Sequence, residues 1–169
     1  LTTGIAGFTS AVCPVAEPLT LAALIMSLLL AISGSTVLNM VYDRDIDARM
    51  PRTMHRALPA GRISPREALA LGLLLSLAGM TWSWLLSPGY FGVVFAGWFI
   101  DIFIYTIWLK RRTAWSIIWG GVAGGMPALA GRVLAVDTLD WVGLALAAAV
   151  LLWIPTHIMT FSLRYKEDY

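Results

Sequence analysis

Leu19-Thr-Leu-Ala-Ala-Leu-Ile-Met-Ser-Leu-Leu-Leu-Ala-Ile-Ser-Gly-Ser-Thr-Val-Leu-Asn-Met-Val-Tyr42 runs for 24 residues without a charge. About 20 apolar residues in a helix cross the ~30 Å hydrocarbon core of a bilayer, so this stretch predicts a transmembrane helix. Four more such runs follow: Ala68–Leu86, Tyr90–Leu109 with one charge at Asp101, Thr113–Val136 with one at Arg132, and Trp141–Leu163, uncharged but containing His157. Leu1–Val12 reads as the last half of a further helix. The runs are continuous rather than alternating, and a membrane-barrel strand needs only about 10 residues, so strands are not expected. Composition agrees: 59% of the 169 residues are hydrophobic, 13% are charged, and mean hydropathy is +0.76. A soluble domain holds roughly 45–50% apolar and about 25% charged residues. So little polar surface excludes a disordered tail, a disulfide scaffold and a cytosolic enzyme. The expected fold class is all-α: a polytopic transmembrane helix bundle with five full spans plus a partial first one. We expect a single domain over residues 1–169, truncated at both ends.

Charge placement sets the orientation. Arg44, Arg49, Arg52, Arg56, Arg62 and Arg66 follow the second span, Lys110, Arg111 and Arg112 the fourth, and Arg164 and Lys166 the sixth. By span parity these three segments share one side of the membrane, and only Arg132 of the 12 basic residues falls near the other. The positive-inside rule makes the basic side cytoplasmic and the chain an integral membrane protein. Trp82, Trp84, Trp108, Trp115 and Trp141 sit near span ends, where interfacial anchors belong. Arg132 is expected to snorkel to the outer interface. Gly120, Gly121, Gly124, Gly125 and Gly131 offer a neighbouring helix close approach. Pro127 and Pro155 are expected to interrupt their spans and free backbone carbonyls. A lone Cys13 excludes an intrachain disulfide and reads as a small buried hydrophobe. The net charge of +2 points to no nucleic-acid partner.

The densest polar cluster is Asn39-Met-Val-Tyr-Asp43-Arg-Asp-Ile-Asp47-Ala-Arg-Met-Pro-Arg52. Asn39, Asp43 and Asp47 are four apart, so a helix places all three on one face about 6 Å apart, with Asp45 pointing elsewhere. Such a row of oxygens suits a hard divalent cation; Mg²⁺ takes one or two carboxylates and completes its shell with water and phosphate oxygens. Lys110, Arg111, Arg112, Arg164 and Lys166 gather on the same side, with Glu167 and Asp168 beside them. Two acidic patches with cations between them can clamp an anionic leaving group. The bland alternative is a solvated loop whose acids balance its arginines.

Asn39-x-x-x-Asp43-x-x-x-Asp47 resembles the first aspartate-rich motif of the UbiA superfamily of intramembrane prenyltransferases. The longer strings Asp43-Arg-Asp-Ile-Asp-Ala-Arg-Met-Pro-Arg-Thr53, Leu58-Pro-Ala-Gly-Arg-Ile-Ser64, Tyr105-Thr-Ile-Trp-Leu-Lys-Arg-Arg-Thr113 and Gly120-Gly-Val-Ala-Gly-Gly-Met-Pro127 are similar to its haem-farnesylating branch, as are His157 and Lys166-Glu-Asp-Tyr169. The resemblance implies a UbiA-like bundle, this chain being part of some nine helices around a central cavity. It implies an isoprenyl diphosphate held through Mg²⁺ on two aspartate-rich motifs, Asn39, Asp43 and Asp47 forming the first and Asp168 opening the second. Asp43, Asp47 and Lys110 take catalytic roles on this reading. Asn39, Arg52, Tyr105, Arg111, His157 and Asp168 contact substrate. The reaction implied is transfer of farnesyl from farnesyl diphosphate to a vinyl group of protohaem IX, with addition of water, in a prokaryotic inner membrane and in a site open to the cytoplasm. The chain departs from that branch in three places. Arg56-Ala57-Leu58-Pro59 stands for Arg-Pro-Leu-Pro, Ser116 for a frequent Asn, and Asp101 for a neutral or aromatic residue.

Three readings compete. An aromatic, quinone-precursor or lipid acceptor keeps the chemistry and changes the substrate. A transporter or non-catalytic subunit concentrates its polar groups near the midplane, whereas these acids cluster at one mouth. His157 either meets the haem edge, iron or acceptor, or hydrogen-bonds a carbonyl freed near Pro155. Asp101 either lines the cavity and steadies a cation, or is packed in its protonated form.

Overall fold

The computed structural model describes residues 1–11 and 18–164, the side chains at 161 and 162 aside. The reading of Cys13 and the second acidic motif at Glu167 and Asp168 lie outside the described residues. All regular structure among the described residues is helical. The elements are α1 (Thr2–Thr9), α2 (Pro18–Tyr42), α3 (Arg44–Asp47), α4 (Pro65–Leu86), α5 (Pro88–Phe99), a π-helical segment (Ile100–Leu109), α6 (Ser116–Val136) and α7 (Trp141–Arg164). Among the described residues, five helices are long and apolar enough to cross a membrane: Pro18–Tyr42, Pro65–Leu86, Pro88–Leu109, Ser116–Val136 and Trp141–Thr160. The 25 residues of α2 span about 37 Å at the ~1.5 Å rise of an α-helix, more than the hydrocarbon core.

Local chemistry marks the boundaries. Ser64 accepts from the Glu67 amide at 3.2 Å while Glu67 Oε2 accepts from the Ser64 amide at 2.9 Å, so a capping box with Pro65 at the first turn opens α4. Gly61 turns the chain into this cap at φ 70, a left-handed conformation that L-residues rarely adopt. Ser87 and Pro88 repeat the cap at α5.

Small residues set the packing. α2 lies against α4, and α6 against α1, α5 and α7. A methyl on Gly79 would come within 2.5 Å of the Ala31 amide nitrogen, and one on Gly125 within 2.7 Å of the Ala147 carbonyl. Helices in lipid gain association energy from this close approach, since lipid tails are as apolar as leucine. Between the helices lies a core of Phe8, Leu24, Leu28, Tyr90, Val94, Leu129 and Val133. Tyr90 is fully buried and its hydroxyl shares a 2.8 Å hydrogen bond with Ser27.

Three local expectations change. The helices α6 and α7 continue through Pro127 and Pro155 rather than breaking. Arg132 does not snorkel outward. It is buried, its Nε and Nη2 donate to Asp140 Oδ2 at 3.0 and 2.6 Å, and Nη1 donates to the Ser10 carbonyl at 2.5 Å, tying α1 to the α6–α7 corner. A carboxylate four residues beyond α6 meets the guanidinium before bulk water does. The fourth span is α-helical only to Phe99, and its remaining ten residues are π-helical.

Candidate active site at the charged end of the bundle

The helix α2 stops at Tyr42, yet the row of three oxygens persists. The Asp43 amide donates to the Asn39 carbonyl and the Asp47 amide to the Asp43 carbonyl, both at 2.9 Å, so each motif residue stays one turn above the last through the junction with α3. Asp43 and Asp47 are both buried. Burial of a carboxylate requires partners, and the two find different ones. Lys110 Nζ donates to Asp43 Oδ2 in a short hydrogen bond and to Asn39 Oδ1 at 3.2 Å. Asp47 accepts from Arg56 Nη1 at 3.0 Å, and its carbonyl accepts from the buried Thr53 hydroxyl at 2.9 Å, folding the 48–64 segment back over the site.

The π-helical segment delivers Lys110. Its last hydrogen bond runs from the Lys110 amide to the Tyr105 carbonyl, five residues back, at 2.8 Å. One extra residue per turn rotates everything beyond it, and Lys110 and Arg111 emerge facing α2 and α3. Arg111 grips exposed Asp45 with two hydrogen bonds, 3.0 and 2.6 Å, donates to the Tyr42 carbonyl at 2.7 Å and lies 4.5 Å from the Tyr42 ring centroid. This forked pair holds the Asp45 carboxyl below its ordinary range and pushes the Arg111 guanidinium up. Tyr105 is half-buried, its ring 5.4 Å from Lys110 Nζ and its edge against Gly120.

One atom is left over. Asp43 Oδ1 is buried and accepts no hydrogen bond among the described residues, and the Arg111 Nη2 cation stands 3.8 Å away. A buried carboxylate oxygen with free lone pairs is costly unless a further cation completes it. Among the described residues no three His, Cys, Asp or Glu side chains form a closed cage. Mg²⁺ asks for less: one or two carboxylates, water and phosphate oxygens. The donor set therefore fits such an ion held jointly with a substrate.

Inward from this rim lies a cavity of about 330 Å³ between α1, α2, the fourth span and α6. Leu28, Ile32, Val94, Met126 and Pro127 make its wall largely apolar, and Ser35, Thr36 and Asp101 are polar exceptions. Thus Asn39, Asp43, Lys110 and Arg111 come together as the motif implies, with Asp47 one turn away on Arg56. Arg52 is exposed on the covering segment. His157 is exposed on α7, its ring stacked on Trp153 at 4.6 Å between centroids. Sequence reasoning missed Tyr42, Thr53 and Arg56. Tyr42 had a signal, being adjacent to Asp43. Arg56 had none, because its nine-residue reach to Asp47 depends on the path of the loop.

The helical bundle thus carries paired carboxylates and cations at one mouth, above a largely apolar cavity. The chain belongs to the UbiA prenyltransferase family, which it matches along residues 1–169. It is 51% identical over 144 residues to the protoheme IX farnesyltransferase of Archaeoglobus fulgidus, covering 85% of this chain and 51% of that protein. It is 47% identical over 143 residues to the one from Korarchaeum cryptofilum, covering 85% and 49%, and 40% identical over 146 residues to the one from Desulforudis audaxviator, covering 86% and 46%. The chain spans about half the length of these relatives. No solved structure matches it.

Proposed function

We propose that this chain supplies the first aspartate-rich half of an Mg²⁺-dependent enzyme that transfers farnesyl from farnesyl diphosphate to a vinyl group of protohaem IX. The observation that carries the diphosphate chemistry is Asp43: buried, braced by Lys110 on Oδ2 and open on Oδ1. The names of the relatives support the acceptor.

Asp43 and Asp47, with Asn39 beneath, would hold the ion, whose charge would favour departure of the diphosphate. Lys110 exchanges its carboxylate for a diphosphate oxygen, while Arg111 and Arg52 draw the rest of the head to the rim. Allylic ionisation leaves negative charge on diphosphate, under those cations, and positive charge on carbon, in the cavity. The apolar wall keeps bulk water from that cation. The half-buried ring of Tyr105 sits at the boundary between the two. Asp168 would add carboxylate from the second motif, and His157 would contact the acceptor from α7. The bilayer supplies both greasy substrates, and the site opens to the cytoplasm of a prokaryotic cell.

The test uses the full-length protein in membranes, given farnesyl diphosphate and either haem B or para-hydroxybenzoate. Mg²⁺-dependent diphosphate release with a farnesylated haem is expected, and Asp43→Asn lowers release at least 100-fold, an effect on the scale of removing one preorganised electrostatic group. Prenylation of the benzoate alone would move the acceptor to the aromatic class. Absence of release would end the enzymatic reading.

A further inference from the structure

Among the described residues Asp101 is the only ionisable side chain lining the 330 Å³ cavity, and the diphosphate site does not use it. It lies nine residues before Lys110 on the same span, hence no more than about 14 Å deeper at the ~1.5 Å rise of an α-helix. The cavity runs up towards the site, since Thr36 lies one turn below Asn39 and Gly120 abuts Tyr105. Among the described residues no cation pairs with Asp101 within 4 Å; Lys110, nearest along the chain, is engaged by Asp43 and Asn39. Thr106 donates to the Asp101 backbone carbonyl at 2.7 Å, while the carboxyl lines the cavity with the Ser35 hydroxyl as its hydrogen-bond partner.

The neighbouring hydroxyls are polarised in a particular way. Ser35 Oγ and Thr36 Oγ1 both donate to the Ile32 carbonyl, at 3.1 and 2.8 Å. Thr36 thereby commits its proton, and Ser35 shares its own between that carbonyl and the Asp101 carboxyl, so both keep lone pairs for a further donor. The Trp98 indole N–H is likewise spent, on Ser76 at 3.1 Å. The Asp101, Ser35 and Thr36 oxygens therefore leave lone pairs for a donor on the cavity wall. A water molecule bound there gives one hydrogen to Asp101 and one to Ser35, and turns its lone pairs to the cavity. Two polar partners suffice to hold it.

We propose that Asp101 is the base of the acceptor step, holding with Ser35 the water that ends the reaction. The inference rests on the haem reading above. As the farnesyl C1–O bond breaks and diphosphate leaves with its electron pair, the vinyl π pair forms the new C–C bond. The positive charge moves to the carbon next to the macrocycle. The oriented water forms a C–O bond to that carbon, its O–H bond breaks, and the proton passes to the Asp101 carboxylate. The product carries the hydroxyl, and Asp101 ends as the neutral acid.

The experiment compares full-length wild type, Asp101→Asn, Asp101→Glu and Ser35→Ala with farnesyl diphosphate and haem B, by diphosphate release and by mass spectrometry of the haem product. Asp101→Asn should bind farnesyl diphosphate within about twofold of wild type yet form hydroxylated product on the order of 100-fold more slowly, the usual scale of general base catalysis. The residual product should be enriched in the species one water lighter, from proton loss in place of water capture. Asp101→Glu should restore part of the hydroxylated product, and Ser35→Ala should shift the ratio in the same direction as Asp101→Asn. Wild-type rate and product ratio in Asp101→Asn would overturn the proposal, as would its loss of farnesyl diphosphate binding, which assigns Asp101 to packing. A wild type that leaves haem unmodified overturns the acceptor reading and this proposal together, which separates the two failures.

Discussion

Lys110 reaches Asp43 from another helix, and the pair is where a single substitution should be felt most. The Asp43 side chain is 9% exposed and that of Lys110 32%. Breaking a fully buried pair costs about 3–5 kcal/mol. The partial exposure of Lys110 brings the expectation for Lys110→Met down to about 1–3 kcal/mol by solvent screening. Thermal unfolding in detergent of Lys110→Met, Asp43→Asn and the double variant should show coupling; simple additivity would refute the pairing. The exposed Asp45–Arg111 fork answers to pH instead. Because Arg111 depresses the Asp45 pKa, its stabilisation is present above the unfolded-state value of 3.8 and is lost as pH falls through the lower folded-state value. Asp45→Asn should lower stability modestly at neutral pH and flatten the acid limb below about pH 4, so that the two profiles converge at low pH. At this scale the motif acids were legible, because a spacing of four is itself a helical address. Lys110 was legible from charge placement as sharing their side, but its pairing with Asp43, and that of Arg56 with Asp47, was not, because those contacts come from tertiary geometry that no local pattern encodes.

The π-helical segment is the element on which the site turns. It contains neither glycine nor proline, so Ile100–Leu109 reads as an ordinary span, and only the five-residue hydrogen bond into Lys110 reveals the extra residue. Deleting Ile104 should restore α-helical register and rotate Lys110 and Arg111 by about 100° away from α2. Helix content by circular dichroism should hold while farnesyl diphosphate binding falls at least tenfold; undiminished binding would show that register is not what places Lys110. The glycines of α6 were legible as a packing face, and the structure divides them by neighbour: Gly121 and Gly125 meet α7, Gly131 meets α1 and Gly120 meets Tyr105. Gly125→Leu should force α7 off the Ala147 carbonyl and cost about 1–3 kcal/mol by overpacking, read as a lowered Tm in detergent.

Over the whole molecule, the number of spans follows from hydrophobic length, and their direction from where cations fall, two signals that do not depend on each other. The fold respects both. Arg44, Arg49, Arg52, Arg56, Arg62, Lys110, Arg111 and Arg112 gather at the end that carries Asp43, while Ser87, Asp137 and the Arg132–Asp140 pair mark the opposite end, where Ser87 donates to Asp137 at 3.2 Å. Arg132, away from the basic end, is neutralised by a carboxylate beside it, so it offers no free positive charge to pull its loop inward. Asp140 is held below its ordinary range by that guanidinium, which keeps the pair ionised at neutral pH. Removing the carboxylate should therefore unsettle orientation as well as packing. In a Cys13→Ser background of the full-length protein, a cysteine placed at Arg62 should react with an impermeant maleimide only from the cytoplasmic face, and one at Thr138 only from outside. Adding Asp140→Asn should lower the Tm and give a measurable fraction of inverted labelling at Thr138, because an unpaired Arg132 now counts as a basic flank. A reversed pattern in the parent would invert the bundle and put the carboxylate mouth on the wrong side for a cytoplasmic diphosphate.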